Sequence, residues 1–129
     1  MMMESFLYGM SLHVTVHVAP ENAVAFFEAF IPVFEKAKDE PECISFEVYQ
    51  DPEDPGTISW VEDWTKSPDW FAKFQITKDY YKSYLETTEP MFIKPREARF
   101  FRKLGPHYLL KVTPSLSKCS RDPYCPESP

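Results

Sequence analysis

The sequence predicts an α+β fold of the ferredoxin-like type, β-α-β-β-α-β, an antiparallel sheet with its helices on one face. Three observations lead there. Leu12, Val14, Val16 and Val18 alternate with His13, Thr15 and His17, and a period of two is the mark of a strand. Residues 43–64 hold two runs rich in β-branched and aromatic residues around Asp51-Pro52-Glu53-Asp54-Pro55-Gly56, the pattern of a hairpin. Apolar stripes at helical spacing fall before and after that hairpin.

The first strand, residues 11–18, is closed by Ala19-Pro20-Glu21-Asn22, with Asn22 as the expected N-cap. Phe26, Phe27, Phe30, Val33, Phe34 and Ala37 then form one helical stripe. Pro32 inside it predicts a kink or a loosened turn. Pro41 ends the helix, because the residue before a proline is pushed out of the α region. In the hairpin, Pro55-Gly56 suits the central positions of a type II turn. Ser67-Pro68 reads as an N-cap and first helical residue, opening a short helix through Trp70, Phe71 and Phe74 to about Gln75. Thr77 is the expected cap of a second piece carrying Tyr80, Tyr81, Tyr84 and Leu85. A last strand spans residues 96–104, with Ala98, Phe100 and Leu104 on one side and Phe101 on the other.

The chain divides into an N-terminal extension (1–10), a single domain (11–104) and a Pro-rich tail (105–129) whose composition predicts partial disorder. A net charge of −6 argues against a nucleic-acid partner. No apolar run is long enough to span a bilayer, and no signal-peptide pattern opens the chain, so a cytoplasmic protein is expected. Cys43 reads as a small buried hydrophobe, while Cys119 and Cys125 lie in the tail, too late to staple a fold. A homodimer is expected as well. With helices on one face only, the stripe from Leu12 to Val18 is read as the other face, to be covered by the sheet of a second copy. His13 then points towards the helices.

Phe46-Glu47-Val48-Tyr49-Gln50-Asp51, the strand end Glu62-Asp63-Trp64 and the stretch from Trp70 to Tyr84 resemble the antibiotic biosynthesis monooxygenase family of dimeric α/β-barrel proteins. The resemblance covers about residues 11–104. It implies a small monooxygenase acting on a hydrophobic metabolite, with molecular oxygen as co-substrate and no bound cofactor. That metabolite would be phenolic, enolisable or acidic: an aromatic polyketide, a quinol or an oxylipin-like acid of secondary metabolism. Many members carry a His where this chain has Gln75. The haem-degrading branch has Trp there and His ten residues on, whereas this chain has Gln75 and Leu85, and Leu cannot ligate iron. Relatives acting on aromatic polyketides use an Asn, a strand Trp and an Arg; Trp64 matches the Trp, but Trp60 stands in the Asn position. The same fold also hosts lyases, cyclases, isomerases and non-catalytic ligand-binding dimers, and these stand as alternatives.

Oxygenation without a cofactor needs a base, donors for developing anions and a dry pocket. There is no Gly-x-Gly-x-x-Gly, Walker loop or His-Glu-x-x-His, and His13 and His17 are too far apart on one strand to share a metal ion. His13 is the first candidate base, histidine being the side-chain type whose ordinary titration range suits the task, and a backbone-bonded core histidine is the competing reading. His17 ranks lower and His107 lower still. Trp64 and Gln75 complete the expected catalytic set as hydrogen-bond donors, with packing of a large aromatic and a solvent-facing helix position as the plainer readings. Tyr49, Trp60, Glu62, Phe71 and Tyr81 are the expected substrate-binding residues. Glu62 reads foremost as an anchor of local hydrogen bonds, and the aromatics equally as core. At most one of Arg99 and Arg102, on opposite faces of the last strand, reaches the pocket.

Overall fold

β1 (Met10–His17) is a central strand, hydrogen-bonded on both sides, and the sheet runs β2-β3-β1-β4 with every pairing antiparallel. This computed structural model describes residues 6–105 and Tyr108. After β1 come α1 (Ala23–Lys38), β2 (Cys43–Asp51), β3 (Asp54–Trp64), a short helix α2 (Pro68–Trp70) running into a π-helical turn (Phe71–Gln75), α3 (Asp79–Thr88) and β4 (Glu97–Arg102). The order is the ferredoxin-like one expected. Residues 1–5, His107, Cys119 and Cys125 lie outside the described residues, as does most of the predicted tail.

The stripe on β1 corrects the expected orientation. Met10, Leu12, Val14, Val16 and Val18 are buried with Phe26, Phe30 and Val33 of α1, so the chain covers this face with its own helices. Register gives the reason. Residues directly opposed across an antiparallel pair share a face. Val14 is opposite Trp60 and Leu12 opposite Glu62, while His13 is opposite Val61. If Trp60 and Glu62 lie under the helices, His13 cannot. The open face instead carries Ser11, His13, Thr15 and His17 with Ser59, Val61, Tyr49, Arg99 and Phe101.

Two turn expectations also change. The hairpin reverses at Pro52-Glu53, where Asp51 Oδ1 accepts from the Glu53 amide at 2.8 Å. Asp54 then accepts from the Gly56 amide at 3.2 Å and the Thr57 hydroxyl at 2.8 Å. Carboxylates bonded to the following backbone make their own turns, so Pro55-Gly56 is left inside β3. Gly56 serves a close approach there, since an added Cβ would lie 1.9 Å from the Val18 carbonyl oxygen. Thr77 does not cap α3; its hydroxyl donates back to the Lys73 carbonyl at 2.9 Å, and Lys78 takes the cap position. α1 runs on through an exposed Pro32, and Asn22 precedes it without a side-chain cap bond.

Candidate functional site

Alternation along β3 puts Ile58, Trp60, Glu62 and Trp64 on the helix side, all buried. Glu62 is 6% exposed. The indole of Trp60, two residues before it, donates Nε1–H to Oε2 at 2.8 Å. That of Trp64, two residues after, donates to Oε1 at 2.9 Å. Same-face spacing on a strand therefore makes a carboxylate clamp from residues 60, 62 and 64. Among the described residues Glu62 forms no ion pair. Burial lifts its pKa, the Trp64 and Trp60 bonds pull it part of the way back, and it settles at about 7. A carboxyl so poised can take and return a proton near neutrality.

The helical segment after β3 closes over this clamp. Ser67 caps it, its hydroxyl accepting from the Trp70 amide at 3.2 Å. The following turn is wide, with the Ile76 amide bonded to the Phe71 carbonyl at 2.9 Å. Phe71 lies edge-on to Trp64 at 5.6 Å. Gln75 is fully buried, whereas the adjacent Phe74 is 60% exposed. Gln75 was expected to donate to a substrate, but its Nε2 already donates to Tyr80 Oη at 2.7 Å and Tyr81 Oη at 2.9 Å. What it has left is Oε1, a buried acceptor without a partner.

Tyr80 and Tyr81 stack at 4.8 Å. The Tyr80 hydroxyl donates to Glu40 Oε2 at 2.7 Å, and Lys78 Nζ lies 2.8 Å from the same oxygen. The Lys78 bond holds the Glu40 carboxyl below its usual range despite some burial. Burial pushes the phenols of Tyr80, Tyr81 and Tyr84 upward, and the nearby Glu62 charge adds to this at Tyr81 and Tyr84. On β2, burial chiefly, then the charges of Glu62 and Asp63, raise the Cys43 thiol to about 11.

The structure thus brings together Trp60, Glu62, Trp64, Phe71, Gln75 and Tyr81 on the helix side. It separates His13 and Tyr49 from them. His13 is exposed on the open face, 3.0 Å from the Ser11 hydroxyl and with its ring 4.6 Å from that of Phe101. Tyr49, opposite Ser59, points the same way, and its hydroxyl donates to Glu47 at 3.0 Å. His17 bridges Thr57 and Glu97 on that face. Arg99 lies over Phe101 at 5.0 Å, also on the open face, while Arg102 is opposite Met10, on the helix-side face.

The model of the family described as antibiotic biosynthesis monooxygenase matches residues 10–82, from the start of β1 into α3. The chain belongs to the antibiotic biosynthesis monooxygenase family. A curated relative from Pestalotiopsis microspora, named as a candidate monooxygenase, is 30% identical over 96 residues, which is 74% of this chain and 80% of that protein. Solved structures agree in fold. One from Nitrosomonas europaea, named as a candidate member of this family, superposes with a TM-score of 0.68 at 22% identity, over 77% of this chain and 93% of that one. A conserved protein of Methanosarcina mazei Go1 gives 0.67 at 22% identity, over 80% and 99%.

Within this family fold, sequence reasoning missed Glu40, Lys78 and Tyr80. Each is an ordinary surface residue type, and Glu40 and Tyr80 meet only because α1 and α3 lie side by side. No periodicity encodes that meeting. Among the described residues, no group of His, Cys, Asp and Glu could hold a metal ion, and no helix is long and apolar enough to cross a membrane.

Proposed function

We propose that this family member is a monooxygenase working without a bound cofactor on a hydrophobic phenolic or enolisable metabolite, with Glu62 as its base. The observation that carries the reading is a carboxyl 6% exposed, bonded only to indole donors and poised at about 7. Such a group accepts a proton from a phenol or enol held against it, and the indole bonds steady the carboxylate between turnovers. The resulting anion gives one electron to triplet oxygen, and the carbon radical and superoxide combine to a peroxide. Loss of water converts a substrate CH2 to a carbonyl, one oxygen atom being retained and the other leaving as water. Gln75 Oε1, buried and unpartnered, is suited to accept from a substrate hydroxyl. The name of the Pestalotiopsis relative points to the same reaction class.

A homodimer remains part of the reading, with the interface moved to the open sheet face. Phe101 and Tyr49 are 40% and 48% exposed there, and among the described residues no helix of this chain covers that face.

Oxygen uptake with an anthrone-type substrate tests the proposal. Glu62→Gln is expected to lower the rate about 100-fold or more, while His13→Ala stays within about threefold. A rate lost in His13→Ala and kept in Glu62→Gln would return the base to His13. One observation favours a second reading, a ligand-binding dimer without turnover: Trp60 packs 4.7 Å from Phe30 and 6.3 Å from Phe26, filling space under α1. Tight binding of the anthrone with no oxygen uptake selects it, and turnover that persists without oxygen selects a lyase, cyclase or isomerase.

A further inference from the structure

We infer that Glu40, acting through Tyr80, fixes which end of the Gln75 amide is offered to the substrate, and so makes the site prefer a hydroxyl over a bare acceptor. The inference rests on the reading of Gln75 Oε1 as the acceptor for a substrate hydroxyl, and adds which residues hold that oxygen in place. Glu40 and Tyr80 are positioning residues, and neither is asked to touch the substrate.

The two ends of a side-chain amide are nearly the same size and shape, so the polarity of its neighbours decides which way it sits. Here that polarity is set from Glu40 inward. Lys78 Nζ lies 2.8 Å from Glu40 Oε2 and holds the carboxyl below its usual range, so Glu40 is a carboxylate and can only accept. Tyr80 has a single hydroxyl proton, and it goes to that same oxygen at 2.7 Å. The phenol oxygen keeps only lone pairs for Gln75, 2.7 Å away, and the amide must turn its NH2 there. The other N–H of the same nitrogen goes to Tyr81 Oη at 2.9 Å. Both donors are then used, and Oε1 is left unpartnered. Turned over, the amide would set Oε1 against the Tyr80 oxygen with no proton between them.

Backbone bonds hold the parts in register. The Gln75 carbonyl, at the end of the π-helical turn, accepts from the Lys78 amide at 3.1 Å. The Lys78 carbonyl accepts in turn from the Tyr81 amide at 3.1 Å. Gln75, Lys78, Tyr80 and Tyr81 are therefore placed by one stretch of chain, with the two phenol rings stacked at 4.8 Å. Glu40 comes from elsewhere, the turn after α1, where its amide is tied to the Ala37 carbonyl at 3.1 Å.

A phenol or enol hydroxyl brought against Oε1 gives this buried acceptor its missing bond. An ether or carbonyl oxygen in the same place meets lone pairs and binds more weakly.

Two readouts test the inference on the whole chain. In the ligand-free protein, nuclear Overhauser contacts from the Gln75 NH2 to the Tyr81 ring protons beside its hydroxyl should be strong. In Glu40→Ala the Tyr80 proton is free to turn towards the amide, and in Tyr80→Phe the phenol oxygen is gone. The amide then samples both orientations, and those contacts should fall about twofold or more. Their absence from the wild type, or full strength in both variants, would overturn the inference. The second readout is the ratio of affinities for a naphthol and for its methyl ether, which accepts but cannot donate. The bulk of the methyl is common to every variant, so a change in the ratio reads the amide. The wild-type ratio should exceed those of Glu40→Ala, Tyr80→Phe and Gln75→Leu by about tenfold. A ratio kept in the first two variants and lost in Gln75→Leu would overturn the orienting role while leaving Oε1 as the substrate's acceptor. A ratio that is the same in every protein removes that reading of Oε1, and the selectivity with it.

Discussion

Trp64 donates its indole N–H to Oε1 of Glu62 at 2.9 Å, two residues back on the same strand face. A donor to a carboxylate favours the ionised form. Trp64→Phe is therefore expected to raise the Glu62 midpoint by about one pH unit. Infrared titration of the protonated carboxyl checks this, and an unchanged midpoint would show that the indole bond does not tune the acid.

The same carboxyl couples stability to pH. Its pKa is raised from 4.5 to about 7 on folding, so below about 4.5 it is protonated in both states and costs nothing. Between the two values the unfolded chain has released the proton and the folded chain retains it, so stability falls as pH rises. The loss is complete above about pH 7 and amounts to roughly 3 kcal/mol at most. Urea melts of wild type and Glu62→Gln across this window should show the slope in the first and a flatter profile in the second.

Gly56→Ala tests the corrected hairpin. The new methyl would sit 1.9 Å from the Val18 carbonyl oxygen, and the Val18 amide is itself bonded to Gly56 at 2.8 Å. Backbone has to move, so the variant should lose at least about 3 kcal/mol, seen as a fall in Tm of about 10 °C or more. A tip glycine with open space around it would tolerate the change.

Phe101→Arg tests the proposed dimer. Phe101 stands opposite Ser11 on the open sheet face and packs on His13. Burying an unpaired guanidinium between two sheets is costly, so light scattering at micromolar concentration should show a monomer where the wild type is a dimer. A dimer in both proteins would place the interface elsewhere.

Element order and type were legible in the sequence because they depend on local periodicity, as in the alternation of β1 and the stripe from Phe26 to Ala37. Ser67-Pro68 was legible too, since capping is a local bond. The pairing of Trp60, Glu62 and Trp64 on one face followed from strand parity alone. What parity could not supply was the cross-strand register: whether the stripe from Leu12 to Val18 or the His13 side of β1 shares that face. His13 and Tyr49 were misplaced for that single reason, and only the register His13–Val61 decides it. Gln75 was found, but not the phenols that occupy its donors, because long-range polar partners leave no trace in spacing.

Glu62 and Asp63 are neighbours in sequence that look out of opposite sides of the sheet, one to the indoles and one to Lys103 at 3.0 Å. β3 is thus a partition one residue thick between two chemistries. Losing a single residue from this strand upstream of Trp60 would turn it over, offering the interior an aspartate whose lysine is stranded outside. Length variation among homologues should therefore be forbidden within residues 57–64 and gather at the Pro52-Glu53 tip.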